Sequence, residues 1–289
     1  MFYILLFILG LLLGSFLNMA LYRVPKKESL IKGRSKCDFC KHPLGFLDLI
    51  PLFSFIFLRG KCRYCKKPLK KTMPLVELLT ALSFVSIYYY ANNYYYAPLP
   101  FKKYIFILFS LSIALILIYS FFYDIFYYEI PLKPVLAGYL LWAFYSFSNF
   151  FYYKKVFIQG LNSSILGKYL LETNFVSQRL FFYFKEHLLY NLEATLFIFL
   201  FLLFLHILTK GRGMGFGDVY FAPLLALIAG FPISILFFFT SFVLGSIYGV
   251  FSLVFKKSNL KTRVPFGPFL ILGFVFSLIF FKIYAIIFI

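Results

Sequence analysis

The sequence predicts an all-α polytopic membrane protein, with about eight transmembrane helices and a cytosolic four-cysteine loop between the first and second. Three observations carry this. Hydrophobic residues make up 62% of the 289 and charged residues only 13%, which is too apolar for a soluble domain. Apolar runs of about 18 residues or more recur along the chain. One strongly basic stretch, holding all four cysteines, interrupts them near the N-terminus.

The predicted spans are 2–22, 74–90, 104–123, 131–150, 188–208, 219–231, 233–255 and 265–287. No charged leader with a small-residue cleavage site opens the sequence, so Met1 to Leu21 reads as a first membrane helix. The sixth span is short, and Gly230-Phe231-Pro232 breaks the chain before the seventh, so these two form a candidate helical hairpin. Lys and Arg set the orientation. With the N-terminus outside, the inner segments collect most of the basic residues, including Lys133, Lys210, Arg212 and the run Lys256–Arg263. The outer segments hold Lys102, Lys103, Lys154, Lys155, Lys168, Arg179, Lys185 and Lys282. The outer segment 151–187 mixes aromatics, Leu and Lys and is expected to lie along the membrane surface as an amphipathic helix. The net charge of +19 is thus explained by topology, and no nucleic-acid partner is expected.

Residues 23–73 form the one sizeable soluble stretch, with fourteen Lys and Arg against Glu28, Asp38 and Asp48. On the cytosolic side anionic headgroups attract such a segment, so membrane lipid is an expected partner. Cys37-Asp-Phe-Cys40 and Cys62-Arg-Tyr-Cys65 are two Cys-x-x-Cys pairs. Cytosolic thiols stay reduced, and this spacing suits a tetrahedral zinc site of Cys37, Cys40, Cys62 and Cys65. A redox pair or an empty site are the alternatives. Four thiolates close the coordination sphere, so the metal would be structural and would supply folding energy to a loop with little core. His42 is then surplus and exposed, and His187 and His206 read as span-edge and packing residues.

Two carboxylates stand out. Gly211-Arg-Gly213-Met-Gly215-Phe-Gly217-Asp218 puts an acid at the edge of an apolar span, a costly placement that marks a functional site by default. Its alternating glycines Gly213, Gly215 and Gly217 remove side-chain bulk, so another backbone could come close. No Gly-Lys-Ser/Thr follows, which argues against a nucleotide loop. The bland reading is a turn between two helices. Asp124 ends the third span. Two spans separate it from Asp218, and an even number returns the chain to the same membrane face, so both acids sit at the cytosolic boundary. Facing carboxylates cannot both ionise freely. Such a pair can polarise a water from one side and a peptide carbonyl from the other, hydrolysing a peptide bond with no covalent intermediate. Glu129 is the rival acid, with a solvated place near Lys133 as its simpler reading. From other classes, a transporter using intramembrane carboxylates or a non-enzymatic zinc-bearing membrane scaffold remain alternatives.

These blocks resemble the bifunctional type IV prepilin peptidases, membrane aspartic proteases of the GxGD kind. The resemblance covers most of the chain. It runs through Gly14-Ser-Phe-Leu-Asn18, Tyr22-Arg23-Val-Pro25, both cysteine pairs, Leu58-Arg-Gly60-Lys-Cys62 and Pro74-Leu-Val-Glu77-Leu-Leu-Thr80. It continues with Asp124 and Ile130-Pro131, Gly213-Met-Gly215-Phe-Gly217-Asp218 and Pro265-Phe-Gly-Pro268-Phe. The resemblance implies an inner-membrane enzyme that cuts the basic leader from prepilins and pseudopilins after a glycine. It also implies N-methylation of the new terminal residue with S-adenosylmethionine. It puts the catalytic aspartates at Asp124 and Asp218 and zinc at the four cysteines, and it connects Gly60 and Glu77 with methylation. A turn glycine and a carboxylate paired with Lys70 or Lys71 are the simpler readings of these two. The implied domains are a first helix (1–22), a cytosolic zinc-binding region linked to methylation (23–73) and a membrane aspartic peptidase (74–289). Two positions depart from the family pattern: Leu132 stands where Asp or Asn often follows Ile-Pro, and Tyr220 where Lys usually follows the GxGD aspartate.

Overall fold

Gly10 and Gly14 decide how the chain begins. The structure, a computed structural model, describes residues 1–95, 100–171, 173–211, 213–255 and 264–288, with the side chains of 100, 186–187 and 282–288 outside the description. Helix α1 (Phe2–Arg23) pairs with α3 (Thr72–Asn93). A Cβ on Gly10 would sit 2.5 Å from the Ala81 Cα, and one on Gly14 2.6 Å from the Glu77 Cα. The Gly-x-x-x-Gly spacing thus lets two helix backbones touch, the packing that apolar helices use where no hydrophobic difference from lipid drives them together. Between the two helices lies the cap, with a 3-10 turn at Phe46–Leu49 and the short helix α2 (Phe53–Phe57).

The chain divides into two units, 1–122 and 123–289, and α4 (Pro100–Tyr127) runs from the first into the second. The second unit continues with α5 (Leu132–Asn162), α6 (Ile165–Leu171), α7 (Phe175–Phe184) and α8 (Tyr190–Leu208), a π turn at Lys185–Leu189 preceding α8. It ends with α9 (Phe216–Ala229), α10 (Ile233–Phe255) and α11 (Gly267–Phe288). Among the described residues the only β pairing is two isolated bridges in the cap, so the all-α class holds.

Helix α9 is the axis of the second unit. Val219, Phe221, Ala222, Leu224, Leu225 and Ala226 are wholly buried, so the helix is apolar all round and packed on every side. Helix α5 approaches through Gly138, where a Cβ would meet Leu224 at 2.7 Å. From α5 the Trp142 indole N–H donates to the Leu227 carbonyl at 2.9 Å, satisfying one of the acceptors a helix leaves unpaired at its C-terminal end. Gly230, at φ +74, ends α9, and the Phe231 N–H is taken up by the Asn191 side chain at 2.6 Å.

Among the described residues, five helices are long and apolar enough to cross a membrane: α1, α3, α4 from Phe101, α8 and α10. Helix α9 and the described part of α11 are apolar but shorter, and α5 is not among the five. The 14 residues of α9 span only about 21 Å. Several predicted boundaries shift, three of them near the site or in 151–187. The fourth span, predicted to stop at 150, continues to Asn162, because nothing breaks the helix before Asn162-Ser163-Ser164. The rest of 151–187 folds as α6 and α7. The third span runs to Tyr127, so Asp124 lies in its last turn rather than at its end. The sixth begins at Phe216, not 219, so Asp218 belongs to a helix and not to the preceding loop. Arg212, the basic run 256–263 and the side chains of His187 and Lys282, all used in the sequence reading, lie outside the described residues.

Candidate functional site

Asp218 occupies the first turn of α9. Gly215 precedes that helix in extended backbone and its carbonyl accepts the Asp218 N–H at 3.2 Å. The Asp218 Oδ2 lies 3.5 Å from where a Cβ on Gly215 would stand, so the carboxyl folds back over the helix start. A negative charge is favoured there by the exposed amides and the helix dipole. Asp124 comes from the last turn of α4. The Gly267 N–H, at the first residue of α11, donates to its Oδ2 at 2.8 Å. Two helix N-termini thus hold two acids 94 residues apart in sequence. Both are buried, Asp124 at 4% exposure and Asp218 at 6%. Glu129, the rival acid, is exposed.

Ile130 is the piece that joins these parts. A Cβ on Gly217 would stand 3.1 Å from the Ile130 Cβ, and one on Gly267 3.2 Å from its Cδ1 and 2.7 Å from the Asp124 Oδ2. Any side chain at Gly267 would therefore displace the carboxyl it holds. The Tyr220 hydroxyl donates to the Ile130 carbonyl, and the Tyr139 hydroxyl donates to the Tyr220 carbonyl at 2.9 Å. Tyr220, which departs from the family pattern, thus ties α9 to the segment after Asp124. Leu132, the other departure, is exposed. The glycine loop is shaped from behind by His206, whose Nδ1 lies 2.9 Å from the Met214 carbonyl. Thr209 fills the space beside Gly213, and Ile130 that beside Gly217. Their missing side chains admit this protein's own atoms, whereas the sequence reading left the space for another backbone.

The four cysteine sulfurs lie within 4.8 Å of one another, with Cys37 and Cys65 at 3.9 Å. Four thiols at this separation fit one tetrahedral metal ion. Two copies of one eight-residue knuckle bring them together. In the first, the Cys37 N–H bonds the His42 carbonyl, the Lys41 N–H the Cys37 carbonyl and the Leu44 N–H the Ser35 carbonyl. In the second, Cys62 bonds Lys67, Lys66 bonds Cys62 and Leu69 bonds Gly60 in the same pattern. Lys41 and Lys66 both take φ +58. The repeat is legible in the sequence as Cys37-Asp-Phe-Cys-Lys-His-Pro-Leu44 against Cys62-Arg-Tyr-Cys-Lys-Lys-Pro-Leu69. Burial alone would raise the Cys37 thiol, yet the Cys40 and Phe39 amides and the neighbouring thiols bring it down to about 7, towards the thiolate a metal needs. Asp48 braces the knuckles by accepting from the Arg63 guanidinium at 2.6 Å and from the Gly45 N–H and the Tyr64 hydroxyl. Burial pushes its carboxyl up, but these donors hold it below the ordinary carboxylate range.

Gly60 sits at φ +68, with the Phe55 ring 3.0 Å from where a Cβ would be, so its place in the second knuckle suits glycine for backbone reasons. Glu77 is buried at the start of α3. It accepts the Leu52 N–H at 2.8 Å and lies 3.5 Å from the Asn18 amide. Arg23 was given no role from sequence beyond its place in Tyr22-Arg23-Val-Pro25; it is 7% exposed and donates to the carbonyls of Ser29, Lys32 and Gly33. Glu77, Asn18, Arg23, Asp48 and Cys37 all line one cavity of about 690 Å³, a size typical of small-molecule sites.

Residues 8–91 match the family described as bacterial peptidase A24 N-terminal domain, and residues 173–250 match the type IV leader peptidase family. The first match contains the four cysteines, Gly60 and Glu77; the second contains Gly213, Gly215, Gly217 and Asp218. Among curated relatives, a prepilin leader peptidase/N-methyltransferase of Myxococcus xanthus is 43% identical over 84 residues, 29% of this chain and 25% of that protein. The protein of that name from Bacillus subtilis is 41% identical over 81 residues, 28% of this chain and 33% of its own length. The one from Aeromonas salmonicida is 24% identical over 93% of this chain and 88% of its own length, a span that takes in Asp124. No solved structure matches.

Proposed function

We propose that this chain, which belongs to the type IV leader peptidase family, removes the leader from prepilins or pseudopilins and N-methylates the residue so exposed. The observation that carries the peptidase half is the buried pair Asp124 and Asp218, each against a helix N-terminus, with Ile130 packed beside both Gly217 and Gly267.

In the proposed reaction one of the two carboxyls is ionised and the other protonated. The ionised one takes a proton from water as its oxygen attacks the scissile carbonyl carbon. The protonated one gives its proton to the carbonyl oxygen. The tetrahedral diol then collapses: the C–N bond breaks, the departing amine receives a proton from the carboxyl that accepted one first, and a diol hydroxyl returns its proton to the other carboxylate. The N–H of Gly267 keeps Asp124 oriented throughout, and Ile130, pinned by Tyr220, sets the spacing. A site at the cytosolic boundary, with the N-terminus outside, meets the cleavage point without drawing the substrate's apolar helix out of the bilayer. This reading puts the chain in the bacterial inner membrane.

For methylation we assign the cavity beside Glu77 to S-adenosylmethionine, which supplies an electrophilic methyl group when bound. Glu77 and Asn18 would face the donor's positive charge, and Arg23 would hold the wall at residues 29–33. We assign zinc to Cys37, Cys40, Cys62 and Cys65 as a structural ion that joins the two knuckles. Gly60 serves the second knuckle, and Glu77 the cavity. The proposed division keeps a first helix at 1–22, a zinc-binding methylation region at 23–73 and the peptidase at 74–289.

Incubating the purified protein with a prepilin and a labelled methyl donor tests the whole reading. It is expected to shorten the substrate and label the product. A transporter or a zinc scaffold would leave the substrate intact and unlabelled, and that result would overturn the assignment.

A further inference from the structure

The cap carries an apolar face that neither the cysteines nor the cavity uses. Helix α2 is two-sided. Ser54 and Phe55, with the following Leu58, line the cavity, while Phe53, Ile56 and Phe57 project away from it. The 3-10 turn packed on α2 adds Phe46 and Leu47. All five are exposed, and Phe46 and Phe57 each reach 84%. A soluble surface seldom presents a contiguous cluster of this kind without a partner.

The fold fixes the depth of that face. The turn that opens α2 is tied at Leu52, a non-glycine residue at φ +62, whose N–H reaches the Glu77 carboxylate at 2.8 Å. A β-free backbone angle of this kind persists only where surrounding bonds enforce it. Glu77 lies five residues inside α3, about 7.5 Å along its axis from Thr72. Helix α3 is one of the five helices able to cross a membrane. The α2 turn is therefore held against the first turns of α3, beside the ends of two spans. Around it residues 23–73 carry fourteen basic side chains against three acids. Phenylalanines at the depth of span ends, with cations around them, are the composition of a segment lying in a bilayer interface.

We infer that residues 46–57 form an interfacial anchor: Phe46, Leu47, Phe53, Ile56 and Phe57 insert at the headgroup–acyl boundary of an anionic leaflet and hold the cysteine cap down on the membrane. The inference rests on α1 and α3 as membrane spans and is independent of the peptidase reading. The anchor fixes the roof of the cavity, because Ser54, Phe55 and Leu58 sit on the opposite side of the same helix.

Photo-crosslinking tests it. The full chain carrying Phe57→p-benzoylphenylalanine is reconstituted into phosphatidylethanolamine/phosphatidylglycerol vesicles and irradiated, and adducts are identified by mass. Phe46→p-benzoylphenylalanine is the second variant should the first not fold. Ile31, 94% exposed elsewhere in the cap, is the control position. Lipid adducts at 57 or 46, several-fold above those at 31, are expected. Adducts to a second copy of the chain or to an added pseudopilin in place of lipid would show a protein-docking face and overturn the inference. So would lipid yields no higher than at position 31, which would put the face in water.

Discussion

The cysteine cap and the aspartate pair reach a similar end by opposite routes. The cap builds its site from neighbours: two knuckles of eight residues, each closed by its own backbone bonds, need only be brought side by side. The aspartates come from α4 and α9, and a third element, α11, supplies the amide that fixes Asp124. No local segment of the second unit contains a working fragment of that site. A site made of local repeats should fail by losing its metal, and a site made by tertiary packing by small displacements that leave the fold intact.

The largest effect is expected at the pair itself. Asp124→Asn or Asp218→Asn should lower leader cleavage by about a thousandfold or more, within what loss of an acid–base group costs. Zinc content, measured by metal analysis, and methylation of an already cleaved substrate should be unchanged. Replacing Cys37 and Cys40 by Ser should do the reverse. Zinc should fall to background and methyl transfer should be lost, while cleavage of the same prepilin falls far less. Structural zinc contributes about 10–16 kcal/mol of apparent binding free energy, so the cap cannot hold its form with half the thiolates gone.

Smaller displacements sharpen the contrast. Gly267→Ala puts a methyl 2.7 Å from the Asp124 Oδ2 and should cost about a hundredfold in kcat, as misplacement of a catalytic group by about an ångström does. Tyr220→Phe removes one hydrogen bond to Ile130 and should cost about five- to tenfold in kcat with KM unchanged. The smallest effect is at Asp48. Its folded carboxyl lies below the ordinary value, so the stability it contributes is fully present above that value and is lost as pH falls through the folded one. Asp48→Asn should therefore lower the thermal stability of the cap at pH 7, and the gap from the native chain should close as the pH is lowered. Arg63 is partly exposed, so the effect is screened and modest.

The same contrast explains what could be read from the chain unaided. The cysteine set was legible because metal spacing is written locally. The helices were legible as apolar runs, and the two acids as charges where hydrocarbon should be. The amide of Gly267 holding Asp124 was not legible, because a backbone donor leaves no mark in a sequence. Ile130 stood out only as part of a resembling block and Tyr220 only as a departure from the family pattern, and neither reading shows the packing that joins them to the pair. Arg23 stood out only as part of a resembling block, and burial is what shows the wall of carbonyls it holds. The helix ends at 127 and 162 moved because interfacial Tyr and Lys residues are as compatible with helix as with loop.

The account rests on the two aspartates working as one unit. Residual cleavage rates of Asp124→Asn, Asp218→Asn and the double variant, measured on one prepilin with purified protein, test this most directly. All three are predicted to be equal, since removing either member already disables the pair. Substantial cleavage by either single variant, or losses that multiply in the double, would contradict it.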